Sequence, residues 1–541
     1  MSAAMEALAN VTNGTAAGAG PEAAEAAHIV AVAVMAVVFV ASLLGQMFVY
    51  NQTPPSEYTA REPVSPGEGM VWREEGGKAV AKPKEAPVYA RKRKELSNKV
   101  FSWDEVKQHC ARDDLWVVIE NKVFNVTPYV ERHPGGWRPM VHTTGKDGTD
   151  AFTEFHPASI IERWLPQYYI GDIEETPVPP LVRDFRAIRQ GLLARGFFEN
   201  TSDYYMAKYI WFGSLFAPAL YGVLFCSSFS AHMVSAVFMA MFWQQMAFVG
   251  HDAGHNAVSH HRDTDLFWAG FIGDMLGGVG LSWWKLSHNT HHCVTNSVEN
   301  DPDIQHLPFL AITSKLFKRF YSTFHDRFFE ADFFSRFFVG YQHILYYPVM
   351  MVARFNLIVQ SWLTLLSKER CDFRYSEMIA LAIFWVWFGF FVSALPANER
   401  IPYVVLSYAV AGILHVQICI SHFMMETYHG KNTDNWIEHQ LRTSQDVTCP
   451  LYMDWFHGGL QFQIEHHLWP RLPRRNLRVA RKLLIELCAK HNLNYVEMDF
   501  IESNKHLIRC LQKTAVEARK LDSGDAGFFE SPIWESLHLR G

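Results

Sequence analysis

The chain has no C-x-x-C pair. Its eight cysteines (Cys110, Cys226, Cys293, Cys371, Cys419, Cys449, Cys488 and Cys510) are scattered, which argues against a disulfide framework and against a cysteine metal site. Charge is scarce, at 19% of 541 residues, and the net charge of -6 carries no basic signature for nucleic acid. Residues 1–28 contain no Lys or Arg, only Glu6, Glu22 and Glu25. A cleaved signal peptide needs a basic n-region, so that reading is the weaker one here. The zincin pattern H-E-x-x-H is also missing, since Asp252 stands where that motif has Glu. What is plentiful is apolar and aromatic. Hydrophobic residues make up 49% and aromatics 14%, with 40 Phe and 17 Trp, which excludes disorder for most of the chain. There are also 26 histidines, and they need a chemical explanation.

Residues 29–50 run without a charge, about 33 Å as a helix and enough to cross a bilayer. Residues 51–100 then carry ten Lys or Arg. The positive-inside bias puts residues 1–28 in the lumen or outside, makes 29–50 a transmembrane helix, and leaves the chain beyond Tyr50 on the cytosolic side. Asn10 and Asn13 head acceptor sequons on the outer segment. Residues 51–95, rich in Pro, Glu, Lys and Gly, read as a linker. Residues 96–175 have the composition of a small soluble domain.

Residues 209–250 contain no Asp, Glu, Lys or Arg; that length suits two spans joined by a turn near Ser230. Residues 378–398 and 401–421 form a second uncharged pair around Glu399 and Arg400. Two further apolar stretches, 266–284 and 344–366, hold Asp274 with five glycines and Arg354 with Asn356, and read as interfacial or re-entrant. The membrane unit is therefore 205–470, with a cytosolic tail over 471–541. Two spans out and back, twice, leave every polar block on one side, in keeping with the Arg-rich run from Arg471.

In the soluble block, Val130-Glu-Arg-His-Pro-Gly-Gly-Trp137 presents His133 at a tight turn, and His156 follows among Phe152 and Phe155. Two imidazoles across an apolar slot suit a haem that moves electrons and leaves no open position. With Leu115-Trp-Val-Val-Ile119, Val123-Phe-Asn-Val126 and Ile170-Gly-Asp172, the block resembles cytochrome b5 over about 75 residues, which implies an α+β haem domain with His133 and His156 as axial ligands.

Three histidine clusters come next: His251-Asp-Ala-Gly-His255, His288-Asn-Thr-His-His292 and Gln463-Ile-Glu-His-His467. Spacings of i, i+3 and i+4 put imidazoles on one helical face, as shared metal ligation requires. Seven imidazoles and Gln463 are too many for one tetrahedral zinc. Iron, copper and zinc all accept imidazole, and an attached haem domain favours the redox-active dinuclear iron. The clusters and their flanks, Trp283-Trp-Lys-Leu-Ser-His288 and Phe456-His-Gly-Gly-Leu-Gln461, resemble the membrane desaturases with a fused cytochrome b5; Gln463 at the head of the third box marks their front-end branch. Asp301-Pro-Asp-Ile-Gln-His306, Phe338-Val-Gly-Tyr-Gln-His343 and Met453-Asp-Trp-Phe-His457 narrow the likeness to sphingolipid (long-chain-base) delta-8 desaturases.

That resemblance implies a multi-span helical bundle of the membrane fatty-acid-desaturase type behind the haem domain. It implies haem b and two iron ions, the latter held by His251, His255, His288, His291, His292, Gln463, His466, His467 and one further histidine, His422. The reaction implied is O2-dependent insertion of a C8 double bond into the long-chain base of a ceramide or free base, with electrons from NADH through a cytochrome b5 reductase, in the endoplasmic reticulum membrane. A front-end fatty-acyl desaturase, a hydroxylase on the same iron, a membrane haem protein that only relays electrons, and a zinc hydrolase stand as alternatives. His260 and His261 read as surface residues, and His415, His343 and His457 carry no assigned role. Asp252, Glu465 and Asp301 are candidates to orient imidazole N–H groups. The aromatic stretch 317–338 is expected to cover the lipid chain.

Overall fold

A computed structural model describes residues 21–49, 70–84, 87–199, 202–432 and 434–520. The sequons at Asn10 and Asn13, the first half of the expected linker and the end of the tail lie outside them. The first helix, α1 (Pro21–Leu44), continues as one wider turn to Val49. Its apolar side chains, among them Ile29, Val34 and Val37, face outward, as a lipid-facing helix requires. Its other side rests on α6 (Ser202–Phe225): Phe39 stacks on Trp211 at 5.5 Å, and Gln46 donates to the Ala207 carbonyl at 3.2 Å.

The expected linker is a linker only in part. Strands β1 (Met70–Glu75) and β2 (Lys78–Pro83) pair antiparallel, and α2 (Pro87–Glu95) follows. Gly76 and Gly77, both at positive φ, supply the two-residue turn. Composition misled over this part: Arg73, Glu74, Lys82 and Arg93 form ion pairs with two neighbouring units.

The haem-type unit is a five-stranded sheet in the order β3 (Val100–Phe101), β7 (Tyr169–Ile173), β6 (Lys122–Asn125), β5 (Asp114–Ile119), β4 (Cys110–Ala111). Leu115, Val117, Phe124, Val130, Ile161 and Tyr169 fill its core. Short helices α3 (Trp137–His142) and α4 (Thr149–Phe155) stand on it and carry the segments around His133 and His156. Helix α5 (Pro180–Ala194) leads on to α6.

Helices α6 and α7 (Phe229–Gly254) are the first expected pair, turning at 226–228, with Ser228 capping α7 by accepting from the Ala231 N–H. After them come α8 (Arg262–Gly270), a wide turn, and α9 (Leu281–Val294). Residues 266–284 are therefore broken, and Gly278 at φ +69 comes so near the Phe384 ring that a Cβ would lie 2.5 Å from it. Helix α10 (Gln342–Leu366) is unbroken, which removes the re-entrant reading of 344–366. Gln342 donates to the Ala311 and Leu511 carbonyls, and Ser361 near the other end accepts from the Gly280 N–H. The middle of the helix packs on the bundle, Ile358 in the core and Arg354 over the Trp243 ring, and the helix is long and apolar enough to cross a membrane.

The second expected pair is α11 (Arg374–Ser393) with α12 (Ala397–Ala411) and its continuation α13 (Ile413–Cys419). Trp211, Met239, Trp243, Phe384, Phe388, Tyr403 and Tyr408 form the core of this bundle. Beyond it lie α14 (Trp436–Thr443), β8 (Asp446–Thr448), α15 (Gln463–Leu468), α16 (Leu477–His491), β9 (Glu497–Asp499), parallel to β8, and α17 (Phe500–Ala518). Within 317–338, Phe328, Phe333 and Phe337 point outward while Phe320, Phe324 and Phe329 are buried. His260 is buried, against the surface reading, because the β1–β2 hairpin covers it: Glu74 lies 3.8 Å from its Nδ1.

Candidate metal centre

Helix α7 ends on His251 and His255, one turn apart on one face, and α9 carries His288, His291 and His292 on another. The two helices meet at Gly254, where a Cβ would lie 2.1 Å from the Trp284 ring. Only glycine lets that indole reach in, and it packs against His251, His255 and His288 at 5.4, 5.2 and 4.6 Å. Short helix α15 brings Gln463, His466 and His467, and His422 follows the end of α13.

All nine sequence candidates converge. His251 is 4.8 Å from His255, 5.0 Å from His288 and 4.5 Å from His466 between ring centres, and one nitrogen of each lies within 4.8 Å of the others. His291, His422 and His467 make a second group by the same measure. His292 stands between the two, 4.6 Å from His288 and 4.1 Å from His467. The Gln463 amide is 3.0 Å from His422 Nε2, and its Oε1 is buried without a partner.

The donor set fits metal ions. The Nε2 atoms of His255, His466 and His467 are buried with no hydrogen bond, a condition that costs about 1–3 kcal/mol each unless something accepts the lone pair. His288 Nε2 sits 3.1 Å from the Nε2 atoms of both His251 and His292, and nitrogen atoms this close suit a shared cation. Burial, with repulsion among the rings, pushes His255, His288, His292, His466 and His467 well below the ordinary histidine range. They are therefore neutral, which is the ligating form. Burial also pulls on His291, but the Asp301 and Asp303 carboxylates outweigh it and carry that ring to about 9.

Partners behind the rings decide which nitrogen is presented. His291 Nδ1 is 3.0 Å from both Asp301 carboxylate oxygens, His422 Nδ1 donates to the Thr443 carbonyl at 3.1 Å, and His467 Nδ1 donates to Gln440 Oε1 at 2.9 Å. Each leaves Nε2 facing the cluster. Of the three acidic candidates, Asp301 has the orienting place. Asp252 pairs with Arg474 and accepts from Tyr205 at 2.8 Å, its other oxygen 3.7 Å from His251 Nδ1. Glu465 accepts from Tyr495 at 2.9 Å. Gln440, whose Nε2 also donates to the His292 carbonyl at 2.9 Å, and the Thr443 carbonyl were missed from the sequence. No local pattern marks either, since both reach the cluster from a separate helix, α14.

In the haem-type unit the rings of His133 and His156 lie 5.9 Å apart. His133 Nδ1 is held by the Gly136 carbonyl at 2.7 Å and His156 Nδ1 by the Phe152 carbonyl at 2.9 Å, leaving each Nε2 as the ligand atom. Burial pushes both down, His156 to about 3 with help from His133. Phe152 stacks on His156 at 4.2 Å, and Trp137, Met140 and Val141 pack on the unit's core. The pocket fits a flat apolar group held by two neutral imidazoles.

Residues 228–498 match the family described as fatty acid desaturase, and residues 102–174 match the cytochrome b5-like haem/steroid binding domain. The chain belongs to the fatty acid desaturase family. The Delta(8)-fatty-acid desaturase of Helianthus annuus is 40% identical over 448 residues, 82% of this chain and 96% of that protein. The Acyl-lipid (9-3)-desaturase of Borago officinalis is 39% identical over 448 residues, 82% and 99% of the two. The Delta 8-(E)-sphingolipid desaturase of Emericella nidulans is 40% identical over 366 residues, 66% of each. The desaturase is thus a membrane protein with a cytochrome b5-like domain ahead of its helical unit, and its apolar helices agree with that class.

Proposed function

We propose that this desaturase inserts a double bond at C8 of a sphingoid long-chain base, within a ceramide or as the free base. The observation that carries the reading is the convergence of His251, His255, His288, His291, His292, His422, Gln463, His466 and His467, with the Nε2 atoms of His255, His466 and His467 buried and unpaired, beside a haem-type unit. In this reading those residues hold two iron ions, and His133 and His156 hold haem b. The iron, when bound, supplies the O2 chemistry that removes two hydrogens from adjacent methylenes.

The chain's own contribution is placement and exclusion. Asp301 fixes the N–H of His291 at Nδ1, while Gln440 and the Thr443 carbonyl do the same for His467 and His422, so Nε2 of each ring is turned to the cluster. Trp284 closes one side of the first group against water. A groove of about 590 Å³ between α10, α13 and α17, lined by Ile413, Val416, Phe500 and Ile508 with Lys505 and Arg509, offers an apolar bed with a basic edge, which suits a lipid. A separate NADH-dependent cytochrome b5 reductase would feed the haem. The endoplasmic reticulum, with the haem unit and all three boxes cytosolic and residues 1–28 lumenal, is the location this organisation favours.

The C8 position draws support from the names of both the Helianthus and the Emericella relatives, and the sphingolipid substrate from the latter. The Borago relative, nearly as similar, keeps a second reading in view: a front-end fatty-acyl desaturase on the same iron and haem. Expression in a host without delta-8 sphingoid bases, with mass spectrometry of long-chain bases and fatty acids, separates them. New delta-8 bases with unchanged fatty acids are expected. New double bonds in fatty acyl chains alone would replace the substrate, and no product despite a haem spectrum would return the chain to an electron relay.

A further inference from the structure

The hairpin of residues 70–83 lies outside both matched segments, yet it touches both units. Along a strand, successive side chains leave by opposite faces, so the neighbours Arg73 and Glu74 must reach different partners. Arg73 pairs with Glu120 of the haem unit at 2.9 Å, and Lys82 pairs with Glu162 of the same unit at 3.1 Å. Glu74, 1% exposed at its side chain, pairs with Arg471 at 2.6 Å, four residues beyond His467, with His260 beneath it. The Trp72 N–H donates to Gln190 on α5 at 2.8 Å.

Under this hairpin the haem unit rests on the box helices. A Cβ on Gly136 would lie 3.2 Å from Leu286, and one on Gly135 would lie 3.6 Å from Asn289, both residues of α9. Arg138 donates to the Phe324 carbonyl at 2.8 Å and pairs with Glu369 at 3.1 Å; Lys146 donates to the carbonyls of Asn432 and Asp434. At the centre is Phe155, next in sequence to His156. Its ring lies 5.7 Å from His292, 6.4 Å from His255 and 6.3 Å from Trp436. One aromatic side chain separates the haem-holding histidine from two metal-holding ones.

We propose that the hairpin is a strap that locks the haem unit onto the histidine boxes, and that electrons cross this fixed contact at Phe155 without the haem unit having to swing. The inference rests on the haem and iron assignment above. With haem held by His133 and His156 and iron by the box histidines, the step would be one electron, the haem iron being oxidised and one ferric ion reduced, and no bond or proton would change place at Phe155. Arg73 and Glu74 act as positioning residues; Phe155 spans the gap.

The test uses the full chain in lipid, loaded with haem and iron, as wild type, Arg73→Glu, Glu120→Arg, the double variant Arg73→Glu/Glu120→Arg, and Phe155→Leu. Hydrogen exchange over 149–156 and 286–292 reads the docking, and anaerobic return of photoreduced haem to the ferric spectrum reads the transfer. Each single charge reversal should quicken exchange in both segments and slow the haem's return by roughly tenfold, since it sets two like charges against each other across a half-buried contact. The double variant restores the pair with its charges exchanged and should recover both readouts. Phe155→Leu should leave exchange as in wild type and slow the return alone. Wild-type exchange in the single reversals, or no recovery in the double variant, overturns the strap. A wild-type rate in Phe155→Leu overturns the contact. Exchange is read whether or not iron is bound, so a haem that never returns to ferric in the wild type would overturn the functional reading and the contact together, while the strap stands or falls on exchange.

Discussion

His291 is the ring whose environment differs most from the rest of the cluster. Its neighbours are held neutral by burial and by one another, whereas Asp301 and Asp303 draw a proton to its Nδ1 side. Asp301 is itself fully buried and also accepts from the Asn296 and Asp303 N–H groups, so its position is fixed before any metal arrives. Replacing Asp301 with Asn keeps the shape and one of the two backbone contacts, since an amide nitrogen cannot accept from an N–H, and removes the charge that fixes the imidazole tautomer. Such partners are worth about 10–100-fold in metal affinity. Asp301→Asn should therefore lower non-haem iron occupancy by that order in a metal titration, while the haem spectrum stays as in wild type because His133 and His156 are untouched. Full iron occupancy at wild-type affinity would show that Asp301 is there only to shape the loop.

At the scale of elements, the two box helices come together because of what is absent from one residue. Gly254, between His251 and His255, admits the Trp284 indole that packs against three box histidines. Gly254→Ala forces the ring out of this space, at about 1–3 kcal/mol for overpacking, and uncovers the first histidine group. The expected result is a lower melting midpoint together with loss of iron from that group. A variant with wild-type stability and iron content would mean that the indole has another place to go. The same scale explains what the sequence could tell. Box histidines are legible because ligation on a helix fixes short spacings, and the turn at His133 is legible because Pro134 and two glycines write it locally. Gln440, the Thr443 carbonyl and the Glu74–Arg471 pair are not, because each joins segments far apart in the chain and leaves no periodic mark. The hairpin was hidden for a further reason: its charges, spent on ion pairs with two units, have the same composition as charges spent on water.

For the whole molecule, sidedness follows from where the helices end. Both α7 and the run of α12 into α13 finish at the histidine cluster, so α7 and α12 start at the far end of the bundle, where His232 in the first turn of α7 meets Glu399 in the first turn of α12 at 2.5 Å. A buried hydrogen-bonded pair there, with no basic residue in the turn at 226–228, marks the face away from the Arg-rich tail. Native cysteines sit on both faces: Cys226 in that turn and Cys510 on α17, each partly exposed, whereas Cys293, Cys419 and Cys488 are buried. With the remaining partly exposed cysteines replaced by serine, a membrane-impermeant maleimide added to sealed vesicles that present their cytosolic face should label Cys510 at once, and Cys226 only after detergent opens the vesicle. Labelling of Cys226 from the cytosolic side would break the out-and-back pairing of α6 with α7, and with it the placing of all three boxes on one face. Protection of both cysteines until detergent is added would instead turn the whole bundle over and put the haem unit in the lumen, beyond reach of a cytosolic reductase.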